Sequence, residues 1–399
     1  MKPETMLASV PRLSEVRPFF QPIISLQTQR IIGYEVLGRR IRGQQAYSLG
    51  PFFHNKKLKE STHNRIDRHL RALALGRLAE AGADAGQLFV NIRPSWIHRT
   101  FRDNRFPVTL ELARRSRIDP SRLVIEIMED DMTGDAEPFL RVLRMYKTAG
   151  CTIAVDDVGA GFSNFDRIAL VEPKIIKIDL HLLRRGSRHS GYEAVLRSFS
   201  ILASQIGASL LMEGIETRED LATAIRMGAR YVQGFLFSPA VPEFLPPDAF
   251  QRLIEEELRG FTSGELAKSA LSFRLEKHLN ELMAGLLPGA SHLGADRLLE
   301  TLIPHVPREC IRMYICLENG RQVSSNFLRG ADGAWRQDPD KLHNNWIWRP
   351  YFIPSITLMK QRRQGMLSAA YKDLDSTDLV QTYSCPIDDS RFLFLDLMA

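Results

Sequence analysis

Cysteine is scarce. The chain has four, Cys151, Cys310, Cys316 and Cys385, with no Cys-x-x-Cys spacing and no metal-ligand grouping. That excludes a disulfide framework or a zinc ribbon and suits reduced thiols in a cytoplasmic protein. Long apolar runs are missing too. None approaches the roughly 20 residues that cross a bilayer, so no membrane association is expected. The start, Met1 to Val16, lacks the basic-then-apolar order of a signal peptide. No dense Lys/Arg tract occurs, so the net charge of +6 gives little support to binding a nucleic-acid polymer. It suits an anionic ligand or simply an uneven surface. A Gly-rich phosphate loop after the first strand is also absent, which weakens a doubly wound sheet.

What is present is an alternation of short apolar strands with helices. Strands are expected at Phe19–Ile24, Arg30–Arg39, Leu88–Pro94, Leu123–Glu129, Thr152–Val155, Ile175–Asp179, Ser209–Ile215 and Tyr231–Phe237. Helical spacing covers Thr62–Gly82, Pro138–Thr148, Tyr192–Ile206 and Arg218–Met227, with Gly50–Glu60 as a loop. Such alternation implies parallel pairing with right-handed crossovers. This many strands suits a (β/α)8 barrel better than an open sheet.

After Pro239 the composition changes. Leu253, Leu258, Leu271, Leu275, Leu279, Leu282 and Leu286 form an apolar stripe on a charged rod, read as a linker helix and a candidate dimer seam. Gly260 and Gly264 are expected to bend or break it, and Pro288-Gly289 to end it. Further strands at Ile311–Cys316, Gln322–Leu328, Leu379–Cys385 and Phe392–Leu397 describe a small sensor-like module around an antiparallel sheet. The expected division is an N-terminal extension at 1–17, a barrel at 18–245, a helical linker at 246–294 and an α+β domain at 295–399.

The chemistry concentrates at strand ends. Glu35, Asn91, Glu126, Asp156, Asp157, Lys177, Glu213 and Gln233 all fall in or at the ends of expected strands, which a barrel gathers on one face. Alone, each has an ordinary explanation. Asp156-Asp157 before a Gly-x-Gly turn reads equally as a solvated acidic turn, and Lys177 as a snorkelling surface residue. Together they make an oxygen-rich site for one or two hard cations, Mg²⁺ or Mn²⁺ rather than zinc. A lysine inside such a ring can position water or offset the charge of a phosphate.

At these residues the chain resembles the EAL-domain cyclic-di-GMP phosphodiesterases, with Glu35-Val36-Leu37 in place of Glu-Ala-Leu. The resemblance runs from about Phe19 to Pro239 through QPI, YEVLGR, FVNIRP, IEIMED, DDVGAGFSN, KID, MEGIE and YVQGFLFSP. It implies a modified TIM barrel whose first strand is antiparallel, and hydrolysis of cyclic-di-GMP to linear pGpG. It implies metal ligation by Glu35, Asn91, Glu126, Asp156, Asp157 and Glu213. Lys177 and Gln233 would handle the nucleophilic water, and Glu129 would anchor the loop Val158–Asn164. Gln21, Glu35, Leu37, Arg39, Asp179 and Glu216 would contact the dinucleotide. Calcium, larger and less strict in geometry, is expected to bind without supporting turnover.

The tail resembles the PAS-like domain of YkuI-type EAL proteins at Asn345–Phe352 and Tyr383–Asp389. Two readings stand for it. Trp346, Trp348 and Tyr351 form a core with Arg349 in a structural ion pair, which is favoured, or they clamp a small anion of unknown identity. For the whole chain the rivals are a phosphodiesterase, a non-catalytic cyclic-di-GMP receptor and an interaction scaffold. No acid of the ring is replaced and the lysine is present, which favours the enzyme.

Overall fold

The computed structural model describes residues 9–92, 106–128, 136–158, 165–180, 191–349, 352–376 and 378–399. It separates into two compact units, Met1–Phe261 and Thr262–Ala399.

The first unit is a closed barrel of β1 (Val16–Ser25), β2 (Arg30–Arg42), β4 (Gln87–Asn91), β5 (Leu123–Met128), β6 (Thr152–Asp156), β7 (Ile175–Asp179), β8 (Ser209–Glu213) and β9 (Tyr231–Val232). A short β3 (Gln45–Ser48) extends β2 outside the ring. Strands β2 and β4 to β9 pair in parallel, whereas β1 closes the ring antiparallel to both β2 and β9. Helices α1 (Glu60–Ala81), α2 (Val108–Arg115), α3 (Ala136–Ala149), α4 (Phe165–Val171), α5 (Gly191–Ile206) and α6 (Arg218–Arg226) connect the parallel strands.

Period-2 alternation divides each strand between two apolar environments. One set of residues, including Val90, Ile125, Ile127, Val155, Ile176 and Met212, packs outward against Ile66, Leu70, Phe139, Leu143 and Leu196 of the helices. The other, Ile23, Phe89, Val124, Ala154, Ile175 and Leu211, fills the barrel interior as a separate layer. Truncating a leucine or isoleucine of either set to alanine costs about 2–5 kcal/mol.

The last strand is shorter than the sequence suggests. It stops at Val232, and Gly234–Phe237 turns back. A Cβ on Gly234 would lie 2.1 Å from the Ile215 carbonyl oxygen, so this close approach admits only glycine.

Helix α7 (Gln251–Ala290) runs unbroken through Gly260 and Gly264 and ends two residues after Pro288. The expected break does not occur, because each glycine costs only about 1 kcal/mol and the flanking leucines are anchored. Leu253 and Leu258 pack on the barrel core. Leu275, Leu279, Leu282 and Leu286 pack in the second unit's core. The stripe read as a dimer seam is therefore mostly spent within the chain, leaving Leu266, Leu271 and Phe273 exposed.

In the second unit the sheet runs β12 (Trp335–Asp338), β11 (Asn326–Arg329), β10 (Cys310–Leu317), β16 (Arg391–Met398), β15 (Leu379–Pro386), β13 (Met366–Leu367), with β14 (Tyr371–Lys372) also on β15. All its pairs are antiparallel. One face receives α7 and α8 (Ala295–Leu302) over Met313, Ile315, Leu393 and Leu395. The other receives Phe352, Ile356 and Met359 of α9 (Phe352–Arg362) over Cys316, Phe392 and Phe394. Asn280 of α7 fastens the first face: its amide donates to Gly365 O (3.1 Å) and its Oδ1 accepts from Gly365 N (2.6 Å) and Tyr383 Oη (3.0 Å).

Candidate active site

The interior apolar layer fixes where the polar residues stand. Two positions beyond Phe89, Val124, Ala154, Ile175 and Leu211 come Asn91, Glu126, Asp156, Lys177 and Glu213. Because β1 runs the other way, its contribution, Gln21, comes two positions before Ile23. Strand register sets these residues beside one another, with Gln21 opposite Glu35, Asn91 opposite Glu126 and Asp179 opposite Glu213.

Lys177 is fully buried, which rules out a snorkelling surface role. Its Nζ lies 2.6 Å from Glu126, 2.9 Å from Glu213, 3.2 Å from Asp156 and 3.8 Å from Glu35. Asn91 Nδ2 donates to Glu126 (3.0 Å) and Glu35 (3.2 Å), which leaves its Oδ1 an uncommitted acceptor. Gln233 Nε2 donates to Glu35 (2.7 Å) and Gln21 (3.3 Å), while its buried Oε1 has no hydrogen-bond partner. Gln21 in turn donates to the Ser238 carbonyl at 3.3 Å.

Adjacent acids can share one environment only where strand alternation ends. Asp157 does this with a left-handed backbone, φ 58°, rare for a residue with a side chain. Both aspartates line a cavity of about 320 Å³ with Leu37, Arg39, Asn91 and Met128. Arg39 stands 5.7 Å from the Phe19 ring centre. Asp179 is half-buried at the end of β7, and Glu216 is exposed just before α6, its N–H held by Asp220 (3.0 Å). Glu129 and all of the loop Val158–Asn164 except Val158 lie outside the described residues.

The electrostatics are those of excess negative charge. Burial drives the Glu126 and Glu213 carboxyls well above their usual range; Lys177 opposes the shift and the neighbouring acids add to it. Burial and the charge of Asp156 push Asp157 up to about 6. Burial works against the Lys177 charge, but the four carboxylates prevail and hold its pKa well above normal.

Among the described residues no three acids are gathered into a closed metal cage, since the carboxylates turn toward the Lys177 ammonium. The donor set nonetheless fits a hard divalent cation. It consists of carboxylate and amide oxygens, one amide oxygen is uncommitted, and paired aspartates repel until a cation relieves them.

The far wall of the cavity was not legible as a site from the sequence. It is formed by Ser48–Gly50, Phe53 and His54 around a one-turn helix at Gly50–Phe53, and by Asp67 and Arg71 of α1. Arg71 is paired with Asp67 and donates to Thr109. The Asp-Arg spacing of four on the buried face of a helix was the available signal.

A barrel with its first strand reversed and an acid ring around a buried lysine defines a class, and the chain belongs to the EAL-domain family: the EAL domain matches residues 5–240. Residues 244–399 match an EAL-domain associated signalling protein domain. The EAL-domain protein YkuI of Bacillus subtilis (strain 168) is 34% identical over 390 residues, 96% of this chain and 95% of that protein. The crystal structure of YkuI in complex with substrate c-di-GMP and calcium superposes with a TM-score of 0.90 at 32% identity, covering 100% of both chains. The cyclic di-GMP phosphodiesterase RocR of Pseudomonas aeruginosa is 30% identical over 236 residues, 57% of this chain and 58% of RocR.

Proposed function

We propose that the barrel hydrolyses cyclic-di-GMP to linear pGpG with Mg²⁺ or Mn²⁺, one or two ions. The observation that carries this reading is the complete ring of Glu35, Glu126, Asp156 and Glu213 about buried Lys177, beside a cavity that Arg39 reaches. Glu35, Asn91, Glu126, Asp156, Asp157 and Glu213 would hold the cation, which when bound lowers the pKa of water and neutralises phosphate charge. Gln233 Oε1, free of a donor, accepts a hydrogen bond from the attacking water and aims it. Lys177 keeps a full positive charge beside the reacting phosphate, and Arg39 pairs with a phosphate oxygen. Gln21, Leu37, Asp179 and Glu216 would contact the dinucleotide, and Glu129 would anchor the loop after the paired aspartates.

Incubating the protein with cyclic-di-GMP and Mn²⁺ or Mg²⁺, then separating products by chromatography, tests the reading. pGpG should accumulate with either ion and not with Ca²⁺, which binds without turnover. Tight binding with no pGpG under any ion would instead make the protein a receptor. Lys177→Ala should lower turnover at least about 100-fold while dinucleotide affinity changes by less than about threefold. A parallel loss of both would make Lys177 a binding residue.

The same reading gives the C-terminal, PAS-like domain a regulatory role and places the protein in the cytoplasm. Among the described residues no helix is long and apolar enough to cross a membrane. Association as a homodimer through Leu266, Leu271 and Phe273, exposed on α7, belongs to this reading. Removing residues 296–399 should change turnover or self-association measured by sedimentation. If neither changes, the domain is not a regulator.

A further inference from the structure

The second unit has a cavity of about 360 Å³ on its sheet, lined by the aromatic residues Tyr314, Trp346, Trp348 and Tyr371, by Asn326 and Arg349, and by the charged residues Arg312, Lys341, Asp373 and Asp375. We infer that this cavity binds a small organic carboxylate. The inference does not depend on the activity of the barrel.

The two arginines of the cavity are in opposite states. Arg312 is spent inside the structure: Nε donates to Asp396 and Nη2 to Asp373, both at 2.6 Å. Among the described residues Arg349 has no carboxylate within ion-pairing distance, and its solvent-shielded Nε has no hydrogen-bond partner. Its guanidinium lies 4.6 Å from the ring centre of Trp348 and 5.9 Å from that of Trp346. Among the described residues the ion pair expected for it does not form, and Trp348 is exposed rather than part of a core, while Tyr351 lies outside the described residues. A guanidinium held against indoles with its donors open matches the fork of a carboxylate.

A second donor stands on the same wall. Asn326 is 4% exposed, and its Oδ1 accepts from Gln322 Nε2 at 3.0 Å, so its own amide N–H groups remain uncommitted. The carboxylates are distributed unevenly. Asp373, Asp375 and Asp396 all face Arg312, Asp375 also stands 3.5 Å from Lys341, and none of the three pairs with Arg349, so the open positive group that a ligand meets in this wall is the Arg349 guanidinium, which calls for an anion.

The aromatic walls decide what kind of anion. They are fixed in advance: Trp346 Nε1 donates to Gln322 (2.9 Å), Tyr371 Oη shares a hydrogen bond with Thr382 (2.7 Å), and Tyr314 stacks on Phe394 with centroids 5.1 Å apart. Rigid indole and phenol faces gain from an apolar or planar body, which a bare phosphate lacks.

Two of the chain's four tryptophans are in this wall, so intrinsic fluorescence of the full-length protein reports occupancy. The protein is titrated with propionate, succinate and benzoate, and separately with inorganic phosphate and putrescine. At least one carboxylate should give a saturable change below roughly 20 mM, with no saturation by phosphate or putrescine. Arg349→Gln and Trp348→Ala should each weaken that binding at least about tenfold, and Arg349→Lys less than Arg349→Gln. Circular dichroism checks that each variant is folded, and Trp348→Ala alters an exposed side chain, so it serves if Arg349→Gln does not fold. Saturation by phosphate or putrescine in place of carboxylates, no saturable carboxylate at all, or binding unchanged in a folded Arg349 or Trp348 variant would overturn the assignment.

Discussion

The barrel and the C-terminal domain each bury a cation among carboxylates, and the two clusters behave differently. In the barrel, Lys177 faces four carboxylates within 3.8 Å, with Asp157 near them, and burial raises the pKa of Glu126, Glu213 and Asp157. In the tail, Arg312 is fitted to Asp373 and Asp396, whose remaining oxygens are bonded as well. Asp396 accepts from Thr382 (2.6 Å) and Asp373 from Ser376 N (3.1 Å). The first cluster carries surplus negative charge and uncommitted acceptors. The second also sets more carboxylates than one against its arginine, with Asp375 at 3.4 Å, but its buried carboxylate oxygens are all hydrogen-bonded. A buried ion cluster is a candidate site when its hydrogen bonds fail to close, and a structural fastening when they do.

The sharpest way to break this contrast is to remove one acid from each cluster. Glu213→Gln and Glu35→Gln should lower turnover by about 1000-fold. They should leave the thermal midpoint of the metal-free protein unchanged or raised, since each removes one of several repelling charges. A melt that collapses together with the activity would make the barrel cluster structural. The next effect is smaller and opposite in kind. Asp396→Ala should destabilise the C-terminal domain by about 3 kcal/mol in denaturant unfolding and leave the chemistry of the barrel intact. Asp373 still pairs with Arg312 and limits the loss.

The smallest effect concerns pH. Burial raises the Asp388 carboxyl, but hydrogen bonds from Ser390 and Arg391 outweigh it and lower the value to about 2. A depressed carboxyl stabilises the fold above its unfolded value and loses that contribution as pH falls through its folded one. The stability gap between wild type and Asp388→Asn should therefore hold from pH 7 to about 4 and close toward pH 2. A gap that persists at pH 2 would mean that Asp388 acts through packing rather than charge.

Much of the acid ring could be read from the sequence because a barrel strand imposes one rule on all its neighbours. An inward apolar residue followed two positions later by a polar one marks the mouth, as in Val124–Glu126, Ala154–Asp156, Ile175–Lys177 and Leu211–Glu213. What stayed hidden depends on contacts distant in sequence. The run Tyr231–Phe237 is apolar enough for a strand, yet the Ile215 backbone against Gly234 forces it to turn. Gly260 and Gly264 look like breaks only if the leucines around them have nothing to pack on. Strands β12, β13 and β14 are too short to show alternation and exist because β11 and β15 offer edges.

The reversed first strand also bears on how the protein can be handled. In an all-parallel barrel the chain would enter at the end opposite the active mouth. Here β1 starts at Val16 opposite Arg40, near the exit of β2, and Arg40 reaches back to Glu15 (2.8 Å) and Ser9 (3.0 Å). Ser9, the first described residue, is thus held at the rim on which the strand-end acids stand. A purification handle is better placed on the other terminus, and a fused steric blocker on this one should lower whatever binding the acid ring supports.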